Sequence, residues 1–269
     1  MNRFLVGLVC LAVVGCLPVE DSNSSPSGSS GLNVQLSTPT FEITAENGVA
    51  LATVGLESME YMGSGLGGRS LSNQNPLLRL SATETEACDN GTGSATVAIS
   101  TNGINDQTGE MSVSGSFVVD SSFDNCDVTS LTVFNGQLNI DTAWTGYDSA
   151  TSEFGSMLLT VDFLNFSATT TDETTSIDGQ LEVGTVGSAT SMDWALSVSS
   201  SATNSQILTS ETTTSISGNQ ANDYPSGGAW IIKGASGTSI VSTIEANGLE
   251  ISINGAQATL VVWDDLEAF

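Results

Sequence analysis

Apolar and polar residues alternate with a period of two over much of this chain, and that pattern excludes long helices as its main building unit. Met192, Trp194, Leu196 and Val198 point one way along an extended backbone, and Asp193, Ala195, Ser197 and Ser199 the other. Met157, Leu159, Val161 and Phe163 form a second such row. Leu249, Ile251 and Ile253 form a third, separated by Glu250 and Ser252. Each segment predicts a strand with one face against a core and the other in water. The Thr-rich stretch 169–175 predicts an edge or an exposed strand surface.

Asn-Gly and Asp-Gly dipeptides punctuate the alternation at Asn90-Gly91, Asn102-Gly103, Asn135-Gly136, Asp178-Gly179, Asn247-Gly248 and Asn254-Gly255. They supply the positive φ angles that tight hairpins need, so they predict turns, some of them replaced by bulges. Around Asn135-Gly136 the apolar parity flips from odd (Leu131, Val133) to even (Leu138, Ile140), and an extra residue at that dipeptide accounts for the flip. Weak internal repetition accompanies the dipeptides. Phe134-Asn-Gly-Gln-Leu-Asn-Ile140 matches Ile177-Asp-Gly-Gln-Leu-Glu-Val183, and Val113-Ser-Gly and Ile216-Ser-Gly lie at related spacings. The expectation is all-β: an antiparallel meander of roughly 11–13 strands, forming a curved or barrel-like sheet, with a β-sandwich as the alternative. Residues 41–80 are less regular, with loops expected at Gly63–Gly68 and 72–76.

The first residues read as an address. Arg3 precedes an apolar run from Phe4 to Gly15, the layout of a secretory signal peptide. The run is too short for a membrane span, which needs about 20 apolar residues. It ends Val13-Val14-Gly15-Cys16, which resembles the lipobox of bacterial lipoproteins. That resemblance implies cleavage before Cys16, acylation of its thiol, and a bilayer as partner. An ordinary signal peptide cut elsewhere is the alternative. Leu17–Gly31 is dominated by Ser, Gly and Pro and reads as a flexible tether with a reach of roughly 25 Å. The expected organisation is signal peptide 1–15, lipidated cysteine and linker 16–40, and a single β-rich domain 41–269. Leu17 is not an aspartate-type retention residue, so the resemblance favours the outer over the inner membrane.

Four cysteines are present. Cys10 leaves with the signal peptide and Cys16 carries the lipid, which leaves Cys88 and Cys126. An even remainder in an exported chain predicts a disulfide, against the alternative of two free buried thiols. Closing a loop of this length stabilises by roughly 4 kcal/mol in the chain-entropy model.

Cleavage before Cys16 removes Arg3 and no acid, so Arg69, Arg79 and Lys233 face 30 acidic residues and the net charge is 3 − 30 = −27. Such a surface repels nucleic acid and anionic headgroups, which excludes a nucleic-acid partner. The simplest reading of the charge is solubility. The chain has no histidine, which removes Ser–His and Cys–His hydrolysis. Lys233 lies in the strand-like run Trp230-Ile-Ile-Lys233 without a serine motif. Two carboxylates suffice for glycoside cleavage, but 30 acids always contain a pair and aromatic residues are only 6%, too few for a sugar-stacking cleft. No enzyme is expected and no organic cofactor. Calcium is the sharpest alternative reading of the acids: Asn105, Asp106 and Glu110 fall in one oxygen-rich loop, and Asp120, Asp124 and Asp127 in another. Neither loop follows an EF-hand pattern, and solvated turn residues are the plainer reading. Asp264 and Asp265 read as a charged strand cap.

A transmembrane β-barrel is disfavoured. The chain ends in Phe269, but Asp265 and Glu267 occupy positions that need an outward apolar face, and 3 tyrosines make no aromatic girdle.

Cys88-Asp-Asn-Gly, Phe123-Asp-Asn-Cys126, Phe134-Asn-Gly-Gln-Leu and the late Tyr224-Pro-Ser-Gly-Gly-Ala-Trp-Ile-Ile-Lys-Gly234 together resemble a loose group of uncharacterised bacterial lipoproteins, over residues 86–262. The resemblance implies an all-β exported protein and carries no activity. Two functional expectations remain. One is a non-enzymatic envelope lipoprotein with a structural or partner-binding role. The other is a carrier of an apolar small molecule or lipid within the sheet. A filled inner face favours the first, and a continuous apolar cavity the second.

Overall fold

The computed structural model describes residues 32, 34–52, 81–88, 93–105, 110–129, 132–151, 153–219 and 224–266. The signal peptide, Cys16, the loops expected at Gly63–Gly68 and 72–76, Asn90-Gly91, Asp106, Glu267 and Phe269 lie outside these residues.

Period-two alternation builds strands and little else. The described chain forms one antiparallel sheet in which every strand pairs with its sequence neighbours. The strands are β1 (Ser81–Ala87), β2 (Ser94–Ile104), β3 (Met111–Thr129), β4 (Thr132–Thr145), β5 (Ser156–Thr169) and β6 (Thr174–Val186). They continue as β7 (Ala189–Ser200), β8 (Gln206–Asn219), β9 (Gly227–Lys233), β10 (Ser239–Glu245), β11 (Gly248–Ile253) and β12 (Thr259–Val262). Twelve strands fall inside the expected range, and the sheet is a curved, unclosed meander.

The three rows read from the sequence all face the same side. Val161 pairs with Leu181, Leu181 with Trp194 and Val183 with Met192, so their side chains share the inner face. Trp230, Ser242 and Ile251 continue it through β9–β11. Apart from Ser242, these residues join Leu159, Phe163, Phe166, Ile240, Ile244 and Leu249 in one buried cluster. Trp194 packs against Trp230 with ring centroids 5.9 Å apart. Burial of side chains this large, at roughly 1.5–3 kcal/mol each, is the main favourable term holding the sheet.

The meander is interrupted by bulges, and here the structure corrects the sequence reading. Asp124 and Asn125 of β3 together face Asn135 of β4, and Leu164 and Asn165 of β5 together face Asp178 of β6. The extra residues therefore sit on β3 and β5, not at Asn135-Gly136. Phe134, Leu138 and Ile140 all belong to the inner core, so β4 keeps its parity, while β5 changes from Phe163 to Phe166. Asn125 and Asn165 adopt left-handed backbone at φ 50° and 49°. Next to the residues facing these bulges, Gly136 and Gly179 are needed where the strand on their other side comes close. Each has positive φ (92° and 132°), and a Cβ there would lie 2.2 Å from the Asn165 carbonyl oxygen and 2.1 Å from that of Ala195. Asn102-Gly103 is likewise a bulge, between β2 and β3. Asn247 does lie in a hairpin turn and Asn254-Gly255 in a turn after β11. The stretch 169–175 is the β5–β6 hairpin in mid-sheet, not an edge.

Residues 37–43 bind along the sheet. Ser37 donates its N–H to Ser197 Oγ on the outer face at 2.9 Å. Thr40 and Phe41 donate to the Ile207 carbonyl at 2.8 and 3.0 Å. Ala235 donates to the Phe41 carbonyl at 2.6 Å, and Asn254 Nδ2 to the Ile43 carbonyl at 2.9 Å. The end of the expected linker, through Thr40, is thus bound to the domain. The chain then turns helical over 45–52, a helix the strand pattern does not announce. Thr44 donates its N–H to Asn47 Oδ1 at 2.9 Å, the reach-back arm of an N-terminal cap. Ile43, Leu51 and Ala52 enter the inner core, and Gly48 lies directly against Ile253.

Candidate interaction surface

The inner face leaves little for chemistry. It is filled by tryptophan, phenylalanine and aliphatic side chains and covered in part by residues 43–52. Two polar atoms interrupt it. Trp230 and Ser242 are cross-strand partners and fully buried, and neither Trp230 Nε1 nor Ser242 Oγ has a hydrogen-bond partner. Leaving such groups unsatisfied costs about 1–3 kcal/mol each.

Cys88 and Cys126 form a disulfide with Cα atoms 5.3 Å apart, as the cysteine count predicts. It ties the end of β1 to the bulged part of β3, beside the ring cluster of Phe123, Phe134 and Phe166. Its environment is buried, at 8% and 2% exposure, so it is a staple rather than an accessible thiol pair.

The two acidic loops proposed for calcium are separated. Asn105 donates its N–H to the Glu110 carbonyl at 2.8 Å across the β2–β3 turn, which brings those two residues together. Asp120 lies on β3 opposite Ala98, roughly 30 Å along the strand from that turn at the usual strand rise. Asp120 and Asp124 are exposed, whereas Asp127 is buried beyond the bulge. No group of three or more His, Cys, Asp or Glu side chains gathers among the described residues.

Acids instead line the outer face of the sheet. Glu182 stands directly opposite Asp193. Burial raises the Glu182 carboxyl above the ordinary carboxylate range, and the Asp193 charge adds to the shift. Asp193 is held by Thr212 Oγ1, which donates to Oδ1 at 3.0 Å, and by Ser215 Oγ, which donates to Oδ2 at 2.7 Å. Gln180 Nε2 donates to Asp162 Oδ1 at 2.6 Å on the same face. Lys233 is in an ion pair with Glu211 on the sheet surface, and Thr209 and Ser239 are its cross-strand partners. Asp265 follows β12 in a helical turn, Trp263–Leu266, rather than capping the strand.

Among the described residues the sheet ends at β12, an edge that the sequence pattern does not single out. Its run Thr259-Leu-Val-Val262 carries no charge. Trp263 donates its N–H to Asn247 on the β11 side at 3.3 Å. Backbone groups alternate in direction along an antiparallel strand, so those of Leu260 and Val262 point away from the sheet. Their side chains are 43% and 38% exposed on the outer face. Among the described residues, β12 pairs with β11 alone.

Among the described residues no helix is long and apolar enough to cross a membrane. No protein-family model, no curated protein and no solved structure matches the chain.

Proposed function

We propose that this chain is a non-enzymatic lipoprotein of the bacterial cell envelope, acylated on Cys16, favoured for the outer membrane, whose β domain serves a structural or partner-binding role. The observation that carries this reading is the filled inner face. Trp194, Trp230, Phe163 and Phe166 occupy it, and Ile43, Leu51 and Ala52 pack against it. What the domain offers to others is therefore its acidic outer face and its sheet edges. The route of residues 37–41 across the outer face also fits a tether that enters from outside the sheet. Cys16→Ser tests the anchor. The variant is expected to lose acyl labelling and leave the membrane fraction, and labelled lipid on the variant would reject the lipobox.

The carrier reading draws on one observation, the unpartnered Trp230 Nε1–H and Ser242 Oγ side by side on the inner face. A donor and a hydroxyl there could meet the polar group of an enclosed apolar molecule. Native mass spectrometry of the purified protein separates the two readings. A bare protein mass is expected, and a retained apolar ligand would favour the carrier.

A further inference from the structure

We infer that the edge of β12, unpaired among the described residues, takes an extended, basic segment of a partner protein as an added strand. This deepens the partner-binding reading and rests on it. The outward N–H and C=O groups of Leu260 and Val262 are a template for further pairing. Natural edges are blunted by Lys, Pro, bulges or inward charges. Thr259-Leu-Val-Val262 has none of these, and its shortness alone limits the pairing. The opposite edge, β1, has Glu84 and Glu86 in its sequence.

Side chains and charge narrow the occupant. A strand laid beside β12 places alternate residues next to Leu260 and Val262, whose exposed side chains favour apolar neighbours. Glu250 stands directly across from Leu260 on β11, Glu245 ends β10, and Asp265 is exposed just beyond β12. No basic side chain accompanies them among the described residues, because Lys233 lies on β9 in its pair with Glu211. A second copy of this chain would bring a further formal charge of −26 to the edge. A segment alternating apolar residues with Lys or Arg meets both the backbone and the charges.

The test uses the full mature chain and a short alternating Lys–Val peptide at physiological ionic strength, with the Glu–Val peptide as its counterpart. The Lys–Val peptide is expected to slow amide hydrogen exchange at Leu260 and Val262, and the Glu–Val peptide to leave it unchanged. L260P removes an outward N–H without touching the β11 ladder, as edge proline permits. It should keep the melting transition and weaken the peptide by roughly fivefold or more, the ratio that one lost backbone hydrogen bond implies. L260K keeps the backbone and should weaken it by placing a cation at the edge. Equal binding to wild type, L260P and L260K would overturn the proposal, since the peptide would then sit elsewhere on the acidic surface. Unchanged exchange at Leu260 and Val262 would overturn it too. So would concentration-dependent protection of these amides without peptide, lost in L260P, which would make a second copy the occupant. Membrane release and ligand retention read neither quantity, so the proposed function and this edge fail separately.

Discussion

Asp178 accepts the backbone N–H of Asn165 through Oδ1 at 3.0 Å, and Asn135 accepts that of Asn125 in the same way at 2.8 Å. The repeated Phe134–Ile140 and Ile177–Val183 sequences are therefore one device used twice. A core residue precedes an Asn or Asp that clamps the neighbouring strand's bulge. The glycine after it lets the strand on the other side approach, β5 at Gly136 and β7 at Gly179, and Leu138 or Leu181 then returns to the core. The bulges let a long sheet twist and curl without losing its pairing.

Substituting either glycine tests that device. Gly136→Ala and Gly179→Ala meet both a positive φ and a backbone oxygen within 2.2 Å, so neither strand can relax by turning a side chain. Each is expected to lower stability by about 1–3 kcal/mol or more in urea unfolding. Gly237→Ala is the control. Its φ is +78° but nothing lies within 4 Å, so it should cost only the backbone strain, about 1–2 kcal/mol. Asp178→Asn keeps the acceptor and should cost less than Asp178→Ala, which loses a hydrogen bond worth about 1 kcal/mol.

Glu182 sets a pH dependence of definite sign. Its folded pKa is raised by burial and then by Asp193. A carboxyl whose folded pKa exceeds its unfolded value binds protons more tightly when folded. Its stabilising contribution is full below the unfolded pKa and is lost as pH rises through the raised folded one. Melting temperature should therefore rise on mild acidification from neutrality. Glu182→Gln should be more stable than wild type at neutral pH and should show a flatter profile. A steeper profile in the variant would show that the outer-face repulsion lies elsewhere. Glu46, fully exposed at the helix start, opposes this trend at lower pH. The Thr44 side chain and its own backbone N–H lower its pKa, so its contribution is lost as pH falls through that lowered value.

Ionic conditions should act generally. With 4 basic residues against 30 acidic ones, most carboxylates have only solvent and one another. Screening shortens from about 10 Å at 0.1 M salt to about 3 Å at 1 M, so added sodium chloride should raise the melting temperature. Calcium and sodium chloride at equal ionic strength are expected to shift it alike. A calcium-selective shift would return Asn105, Glu110, Asp120, Asp124 and Asp127 to consideration as ligands, and single Asp→Asn variants would show which loop holds the ion.

The Cys88–Cys126 bond should be the largest single staple. Cys88→Ala with Cys126→Ala is expected to cost about 2–4 kcal/mol, read as a lower urea midpoint. Alkylation of the unreduced native protein should modify neither cysteine.

Alternation alone gives the strands of the three apolar rows and the face each turns inward, because period two leaves an extended chain no other way to separate its apolar residues. Met157 to Phe163, Met192 to Leu196 and Leu249 to Ile253 all lie where alternation puts them. The cysteine pair was equally legible, since counting needs no geometry. That Asn135-Gly136 and Asp178-Gly179 sit in mid-strand comes from the pairing of whole strands. A positive-φ dipeptide suits a hairpin and a bulge alike, and the choice depends on whether a neighbouring strand supplies an extra residue, as Asn125 and Asn165 do. The same limit hid the helix at 45–52, whose Leu51 and Ala52 are held by the inner core rather than by helical periodicity. It hid the candidate site as well. Leu260 and Val262 look like any apolar strand residues, and what sets them apart is that β12 is the last strand in the pairing order among the described residues.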